Sequence, residues 1–234
     1  MTSHRLLPQA QGYGYEVGIL LLDEIETHVP GDTAHAGSYD FPVLFKVVPG
    51  ATAYKVTTGD PVVRDDVVAA ARELETMGVR AISSNCGFML HHQEAVARAV
   101  GVPVMLSSLL QLPIAAHTVG STGRIAILTA FTDRLTREVL EKSAMPMQTA
   151  YCINSIQDTA EFQSLAEKDL DTTAFGARVL EATQALFDEY DDIGAILLEC
   201  ALYPPYAKAL RQKFQVPVFD FVTLVNYLRA TAVA

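Results

Sequence analysis

Two of the three cysteines, Cys86 and Cys200, close short apolar runs, Ala81-Ile82-Ser83-Ser84-Asn85-Cys86 and Ala195-Ile196-Leu197-Leu198-Glu199-Cys200. Six residues in these regions recur at one offset of 114 (200 − 86): Ala81, Ile82, Cys86, Val102, Pro103 and Val104 against Ala195, Ile196, Cys200, Val216, Pro217 and Val218. A thiolate is a base as well as a nucleophile. Two thiols facing one bound molecule from opposite sides can take a proton from one face of a carbon and return one to the other. Because acid and base exchange roles with substrate handedness, two groups of the same type make a balanced pair. Racemisation or epimerisation of a small molecule with an acidic C–H beside a carboxylate or carbonyl is therefore the leading expectation. Cys152 has no counterpart at the repeat offset and sits inside the strand-like stretch 149–153, which assigns it to the core.

The elements that must position the two thiols follow from hydrophobic period. Short β-branched runs at 17–22, 43–48, 81–84, 104–106, 125–129, 149–153, 195–198 and 216–219 read as strands. Stretches 65–77, 93–100, 133–143, 172–189 and 205–214 carry helical spacing, with Gly78 and Gly101 closing the first two. Alternation of strand and helix implies parallel sheets. The fold class expected is α/β, with two pseudo-symmetric domains, each a mostly parallel sheet flanked by helices, and the active site in the cleft between them. The domains are placed at 1–112 plus 220–234 and at 113–219, with a last helix over 221–232 packing back on the first half. The first strands of the halves are matched as Gly18–Leu21 against Arg124–Ile127. Both cysteines fall at carboxyl ends of strands, where open α/β sheets hold their ligands. A helix starting after each is expected to lower its thiol pKa through the N-terminal dipole.

The segments Ala81-Ile82-Ser83-Ser84-Asn85-Cys86-Gly87-Phe88 and Ala195-Ile196-Leu197-Leu198-Glu199-Cys200-Ala201-Leu202 resemble the aspartate/glutamate/hydantoin racemase superfamily over nearly the whole chain. The resemblance implies two similar α/β domains with the site between them, Cys86 and Cys200 as paired acid and base, and neither pyridoxal phosphate nor metal. Where the amino-acid racemases of that superfamily carry Asn-Thr or Thr after the cysteines, this chain has Gly87, Phe88, Ala201 and Leu202. Those departures take polar groups from the expected contact points and leave the substrate open. A decarboxylase or cis–trans isomerase on the same scaffold, like arylmalonate decarboxylase or maleate isomerase, is the alternative chemistry. A small-ligand-binding protein without activity is the alternative of another class.

Substrate-contact candidates lie at the strand ends: Ser84, Asn85 and Gly87 around the first thiol, Ala201 and Tyr203 after the second, and Ser107, Ser108, Thr129 and Thr132 elsewhere. Ser107, Ser108 and Thr132 serve equally as helix caps. Lys46 interrupts an apolar strand and either pairs with a substrate carboxylate or faces solvent on an edge strand. Glu199 either orients Cys200, binds an amino group, or hydrogen-bonds a backbone amide. His91 and His92 are adjacent and lack further ligands at metal spacing, so no metal is expected. One imidazole is a candidate proton shuttle near Cys86. Polar segments 31–39 and 154–171 are long enough to serve as lids.

Other classes are disfavoured. The formal charge of −10 and the absence of a Lys/Arg run argue against nucleic acid. The apolar run 17–22 is too short to span a bilayer and is followed by Asp23, Glu24 and Glu26, so neither a membrane partner nor a secretory leader is read there. Reduced thiols and a cytoplasmic location are expected, with a small-molecule substrate and, by default, a homodimer. Gly120-Ser121-Thr122-Gly123 precedes a strand, whereas a phosphate loop would follow one, so it is read as a turn.

Overall fold

The computed structural model describes residues 10–167 and 170–232. Residues 1–9 and 233–234 of the expected first domain, and 168–169 of the second expected lid, lie outside the described residues. Two all-parallel sheets form among the described residues. The first contains β1 (Val17–Leu21), β2 (Val43–Val47) and β3 (Ala81–Ser84), in the order β2-β1-β3. The second contains β4 (Arg124–Leu128), β5 (Ala150–Asn154), β6 (Ile193–Leu198) and β7 (Val218–Phe219), in the order β5-β4-β6-β7. The strands at the sheet centres are apolar at nearly every position because helices cover both faces of a parallel sheet.

The helices are α1 (Ala53–Thr57), α2 (Arg64–Thr76), α3 (Gln93–Ala99), α4 (Leu112–Val119), α5 (Arg137–Lys142), α6 (Ala160–Gln163), α7 (Thr172–Glu189), α8 (Ala207–Phe214) and α9 (Phe221–Ala232). In α7 the Asp171 carboxylate accepts from the N–H groups of Thr173 and Ala174, and the helix buries Phe175, Val179 and Leu186. In α2, Asp65 and Asp66 occupy the positive N-terminal turn, while Val67, Ala70, Ala71 and Leu74 face the core.

The internal repeat is visible in the hydrogen bonding. Ile82 bridges Val104 as Ile196 pairs with Val218, and each Ile N–H donates to the proline carbonyl before its partner, Pro103 or Pro217, at 2.9 Å. Gly18 lies beside Ile82 and Ala126 beside Ile196, so the first strands correspond at an offset of 108 (126 − 18). The expected match of Gly18 to Arg124 is therefore two residues out, because generic apolar runs do not specify register.

Other expectations are corrected at element ends. The strand expected at 104–106 is reduced to the single bridge at Val104, and the one at 216–219 to two residues. Prolines 103 and 217 have no N–H to give a ladder, so pairing begins only after them. The helix expected from 133 starts at Arg137, where the Thr136 hydroxyl accepts from the Val139 N–H. The first turn of the helix expected from 205 is a 3-10 turn, Pro204–Tyr206.

Helix α4 crosses the expected boundary at 112/113 and joins the two lobes. Leu109, Leu112 and Ala115 belong to one buried cluster that includes Ile82 and Leu106 of the first lobe with Ile125, Ile127, Ala195 and Leu197 of the second. The last helix returns to the first sheet, where Val225 and Leu228 pack with Val17, Ile19 and Ala81. A continuous apolar core thus sets the two sheets, and the strand ends they carry, in one relation.

Gly78 closes α2 with φ of +83°, and a Cβ there would overlap the carbonyl oxygen of Gly12. Left-handed backbone costs a non-glycine residue about 1–2 kcal/mol, and the backbone contact adds to it. Gly78→Ala is expected to lower unfolding stability by about 2 kcal/mol or more, a fall of several degrees in Tm for a chain of this size. Thermal unfolding followed by circular dichroism measures it, and an unchanged Tm would contradict the close approach.

Candidate active site

Each cysteine is aimed by the same local device. The backbone N–H of Asn85 donates to the Leu20 carbonyl (3.0 Å), and that of Glu199 donates to the Leu128 carbonyl (2.7 Å), so each β-ladder continues one residue past its strand. The side chains of the same two residues then take the next N–H of the central strand: Asn85 Oδ1 accepts from Leu22 at 2.9 Å, and Glu199 Oε2 from Ala130 at 3.0 Å. Asn85 and Glu199 are equivalent at the offset of 114, as Leu22 and Ala130 are at 108. The chain turns at once, with the Cys86 carbonyl accepting from Met89 and the Cys200 carbonyl from Tyr203.

Both thiols, each 8% exposed, are thereby delivered to one cavity of about 1000 Å³. Its walls are built symmetrically from Asn85, Cys86, Gly87 and Phe88 on one side and Glu199, Cys200, Ala201 and Leu202 on the other. The remaining lining comes from the acidic segment Asp23 to His28 and from Phe131, Gln157, Phe162, Gln163 and Leu165, together with Leu22, Ala53, Thr57 and Ala130.

Of the residues expected at the site, Cys86, Cys200, Asn85, Gly87, Ala201 and Glu199 line this cavity, whereas Ser84, Ser107, Ser108, Thr129, Thr132, Lys46 and Tyr203 do not. Ser84 is buried behind the first thiol, donating to the Leu106 carbonyl at 2.5 Å and accepting from the Cys86 N–H. Ser107 caps the 3-10 turn that follows it, and Ser108 donates to the Glu199 carbonyl. Thr129 donates to Glu199 Oε2 at 2.8 Å, and Tyr203, fully buried, donates to the Thr129 carbonyl at 3.1 Å. Thr132 is exposed, and its N–H is held by Gln157 Oε1. Lys46, on the edge strand β2, pairs with Glu73. Polar groups at strand ends are thus mostly consumed in holding the turns that carry the thiols.

Neither adjacent histidine reaches the cavity. His91 Nδ1 lies 3.1 Å from Lys142 Nζ, and His92 is buried with its pKa pushed down to about 4 by desolvation. Cys152 is buried in the second-lobe core. The segment 31–39 does not line the cavity either. It is tied to the second lobe through Thr33, whose hydroxyl donates to the Ala201 carbonyl at 3.1 Å. The lining segment is the one before it, whose acidic residues carry no periodic signal. Gln157, Phe162, Gln163 and Leu165, from the segment 154–171 expected to fold over the cleft, do line the cavity, and Phe162 packs edge to face on Phe131 at 5.9 Å.

The electrostatics overturn one expectation. The thiols are not acidified: burial raises both pKa values, and the nearby Glu199 carboxylate raises them further, against smaller lowering by the N–H groups of Phe88 and Met89 on Cys86 and of Leu202 on Cys200. Each thiol is followed by a short 3-10 turn, whose few N–H groups do not match the desolvation cost. Glu199, 1% exposed, has its own pKa raised to about 7 by burial, partly offset by the Ala130 N–H and the Thr129 hydroxyl. Among the described residues no Lys or Arg lines the cavity.

A carboxyl whose pKa rises from 4.5 to about 7 on folding favours the native state fully below pH 4.5, and that contribution is lost as pH rises through 7. The shift corresponds to about 3 kcal/mol. Urea unfolding between pH 4.5 and 8 is expected to show a decline of this order in the native protein that is missing in Glu199→Gln. Parallel curves for the two proteins would contradict the burial of an ionisable Glu199.

No family model matches the chain. Among curated proteins, the chain is 30% identical over 221 residues to dimethylsulfoniopropionate lyase 7 of Emiliania huxleyi (strain CCMP1516), covering 90% of this chain and 65% of that protein. It is 28% identical over 219 residues to dimethylsulfoniopropionate lyase of Durusdinium sp. clade D, covering 90% and 73%. The chain spans 65% and 59% of the lengths of the first two Emiliania relatives. Among solved structures, it superposes on glutamate racemase from Bacillus anthracis with a TM-score of 0.63 at 16% identity, covering 94% of this chain and 83% of that one. Allantoin racemase from Klebsiella pneumoniae gives 0.62 at 18% identity, with 94% and 90% covered. Unliganded arylmalonate decarboxylase gives 0.59 at 19% identity, with 92% of each chain covered. Two parallel-sheet lobes, duplicated down to their hydrogen bonds, thus give this chain the fold shared by glutamate racemase, allantoin racemase and arylmalonate decarboxylase.

Proposed function

We propose that the protein is a lyase that removes a proton from the carbon beside a carboxylate with a cysteine thiolate and expels a sulfide from the next carbon, acting on a sulfonium carboxylate of the dimethylsulfoniopropionate type. The observation that carries this is the pairing of two equivalent thiols with a cavity whose wall includes three carboxylates and two phenylalanine rings, alongside His28 in the same wall and the Arg134 guanidinium over the Phe131 ring. Asp23, Glu24 and Glu26 put negative charge on one side of it, and Phe131 and Phe162 contribute ring surface. Such a lining suits a compact onium cation, which carboxylates and ring faces attract. The lyase activity for which the sequence relatives are named supports the same class of reaction.

The substrate carboxylate then has to be held by neutral donors. Asn85 Oδ1 is occupied by the Leu22 N–H, which leaves its NH₂ group for a ligand, and Gln157 is oriented likewise by the Thr132 N–H on its Oε1. One thiolate takes the proton on the carbon next to the carboxylate, and the electron pair of that C–H bond forms the carbon–carbon double bond. The C–S bond breaks with its electrons going to sulfur, giving dimethyl sulfide, acrylate and one proton. Neither an electron sink nor a redox group is required by this balance.

The equivalence of the two thiols favours a second reading, racemisation or epimerisation, which shares the first step and differs in where the second proton comes from. Incubation with dimethylsulfoniopropionate, and in parallel with a panel of chiral acids, amino acids and hydantoins in D₂O, separates the two. The expected result is release of dimethyl sulfide and acrylate, with a fall of about 10²–10⁴ in kcat for Cys86→Ala, Cys200→Ala or both. Deuterium entering the chiral acids with no sulfide released would replace elimination by racemisation, and full rates in both variants would remove the thiols from the mechanism.

A further inference from the structure

Among the described residues lining the cavity, His28 is the one with a basic side chain, and the elimination outlined above gives it no task. Its ring is oriented by a second residue. Nδ1 is shut off from the surface and lies 3.2 Å from Asp32 Oδ1, an ion-pair contact rather than a straight hydrogen bond. The Asp32 side chain is 2% exposed, whereas 23% of the His28 side chain stays open. With Nδ1 enclosed, the nitrogen that the ring can offer a ligand is Nε2.

Asp32 is fixed without help from the imidazole. Its Oδ1 accepts from the Ala34 N–H at 2.7 Å, its carbonyl accepts from the Ser38 hydroxyl at 2.5 Å, and its N–H donates to the Val29 carbonyl at 2.9 Å. The next residue, Thr33, donates to the carbonyl of Ala201, the residue after Cys200. The turn is thus complete by itself, and the contact with Asp32 aims the ring.

The pairing also has an electrostatic consequence. A lone Lys or Arg in the wall would repel an onium group and be drawn to Asp23, Glu24 and Glu26. Protonated His28 balanced by Asp32 presents an N–H donor with no net charge. The Asp32 contact raises the ring's pKa, burial opposes it, and Glu26 raises it further. The other titratable groups around the pair are Asp23, Glu24, Glu199, Cys86 and Cys200 in the wall, with Tyr39 and Tyr206 on the side of Asp32. Arg134 is engaged with Thr57 and the Phe131 ring and does not line the cavity.

We propose that protonated His28, backed by Asp32, binds the substrate carboxylate through Nε2, beside the amides of Asn85 and Gln157. This deepens the sulfonium carboxylate reading and rests on it for the substrate. The ligand class is a small monocarboxylate, because a dianion such as phosphate would bring a second charge against the acidic wall. Once deprotonated, the ring offers Nε2 only as an acceptor, so the carboxylate favours the protonated form.

Histidine-ring nuclear magnetic resonance reads this site without turnover. The probes are propionate, trimethylsulfonium and inorganic phosphate, added to the native protein, His28→Gln and His28→Ala, with the variants identifying the His28 signals. Binding about tenfold tighter to the protonated ring raises its titration midpoint by about one pH unit, and propionate is expected to do so. Trimethylsulfonium and phosphate are expected not to raise it. Carboxyls elsewhere in the wall titrate in native and variant proteins alike, so they do not mimic this shift. Ligand-observed titration is expected to show propionate bound about tenfold more weakly by His28→Ala, less so by His28→Gln, which keeps an amide N–H, and trimethylsulfonium bound equally by all three. In turnover, KM for dimethylsulfoniopropionate is expected to rise about tenfold in His28→Ala with little change in kcat.

A native His28 midpoint that propionate leaves in place, or that phosphate raises instead, would overturn the proposal. Equal loss of propionate and trimethylsulfonium in His28→Ala would do the same, since it would mark a general collapse of the wall. A propionate site found without any release of dimethyl sulfide would leave His28 in its role and remove the lyase reading instead.

Discussion

The placement of both cysteines depends on a backbone hydrogen bond made one residue beyond the end of a strand. At Asn85 and Glu199 the main chain is still paired with the central strand of its sheet, while the side chain has already taken the next N–H of that strand. The following residue leaves the sheet with no freedom in its direction, and in both lobes it is the cysteine. Precise placement of a reacting atom normally needs support behind it. Here that support is the buried set Ser84, Thr129, Ser108 and Tyr203, whose hydroxyls bind backbone and carboxylate around the two turns.

That support has an electrostatic consequence. A site enclosed tightly enough to fix two thiols is also dry, and desolvation raises the pKa of every acid in it. Cys86, Cys200 and Glu199 all shift in the same direction for this reason. Asp23, Glu24 and Glu26 add negative potential from the cavity wall beside His28, and no Lys or Arg among the described residues lines it.

The apolar core holds the two halves in register. Because Ile82 and Leu106 share a buried cluster with Ile125, Ala195 and Leu197 through α4, the lobes do not hinge freely about residues 112–119. The Thr33 bond to the Ala201 carbonyl adds a second tie on the side of the cavity. Within the cavity wall the pseudo-symmetry is broken by Glu199 in place of an amide and by Gly87, where a Cβ would overlap the Glu199 carboxyl.

Much of this was legible in the order of residues alone. The 114-residue repeat identified both cysteines, separated them from Cys152, and implied paired parallel sheets, since a duplicated strand, turn and strand carries its own short-range hydrogen bonds wherever it folds. Hydrophobic period located α7 and α9 to the residue, because long amphipathic helices report their burial at every turn. The tertiary structure decided what depended on distance across the chain. It showed that Ser84, Ser107, Ser108, Thr129 and Tyr203 spend their polar groups on backbone, that Lys46 is paired on an edge strand, and that burial outweighs the few N–H groups acting on each thiol. It also brought the carboxyl of Glu199 over Gly87, 112 positions away (199 − 87). Hydrogen-bond partners, desolvation and close approach between the lobes are properties of three-dimensional neighbours, which no local pattern of residues encodes.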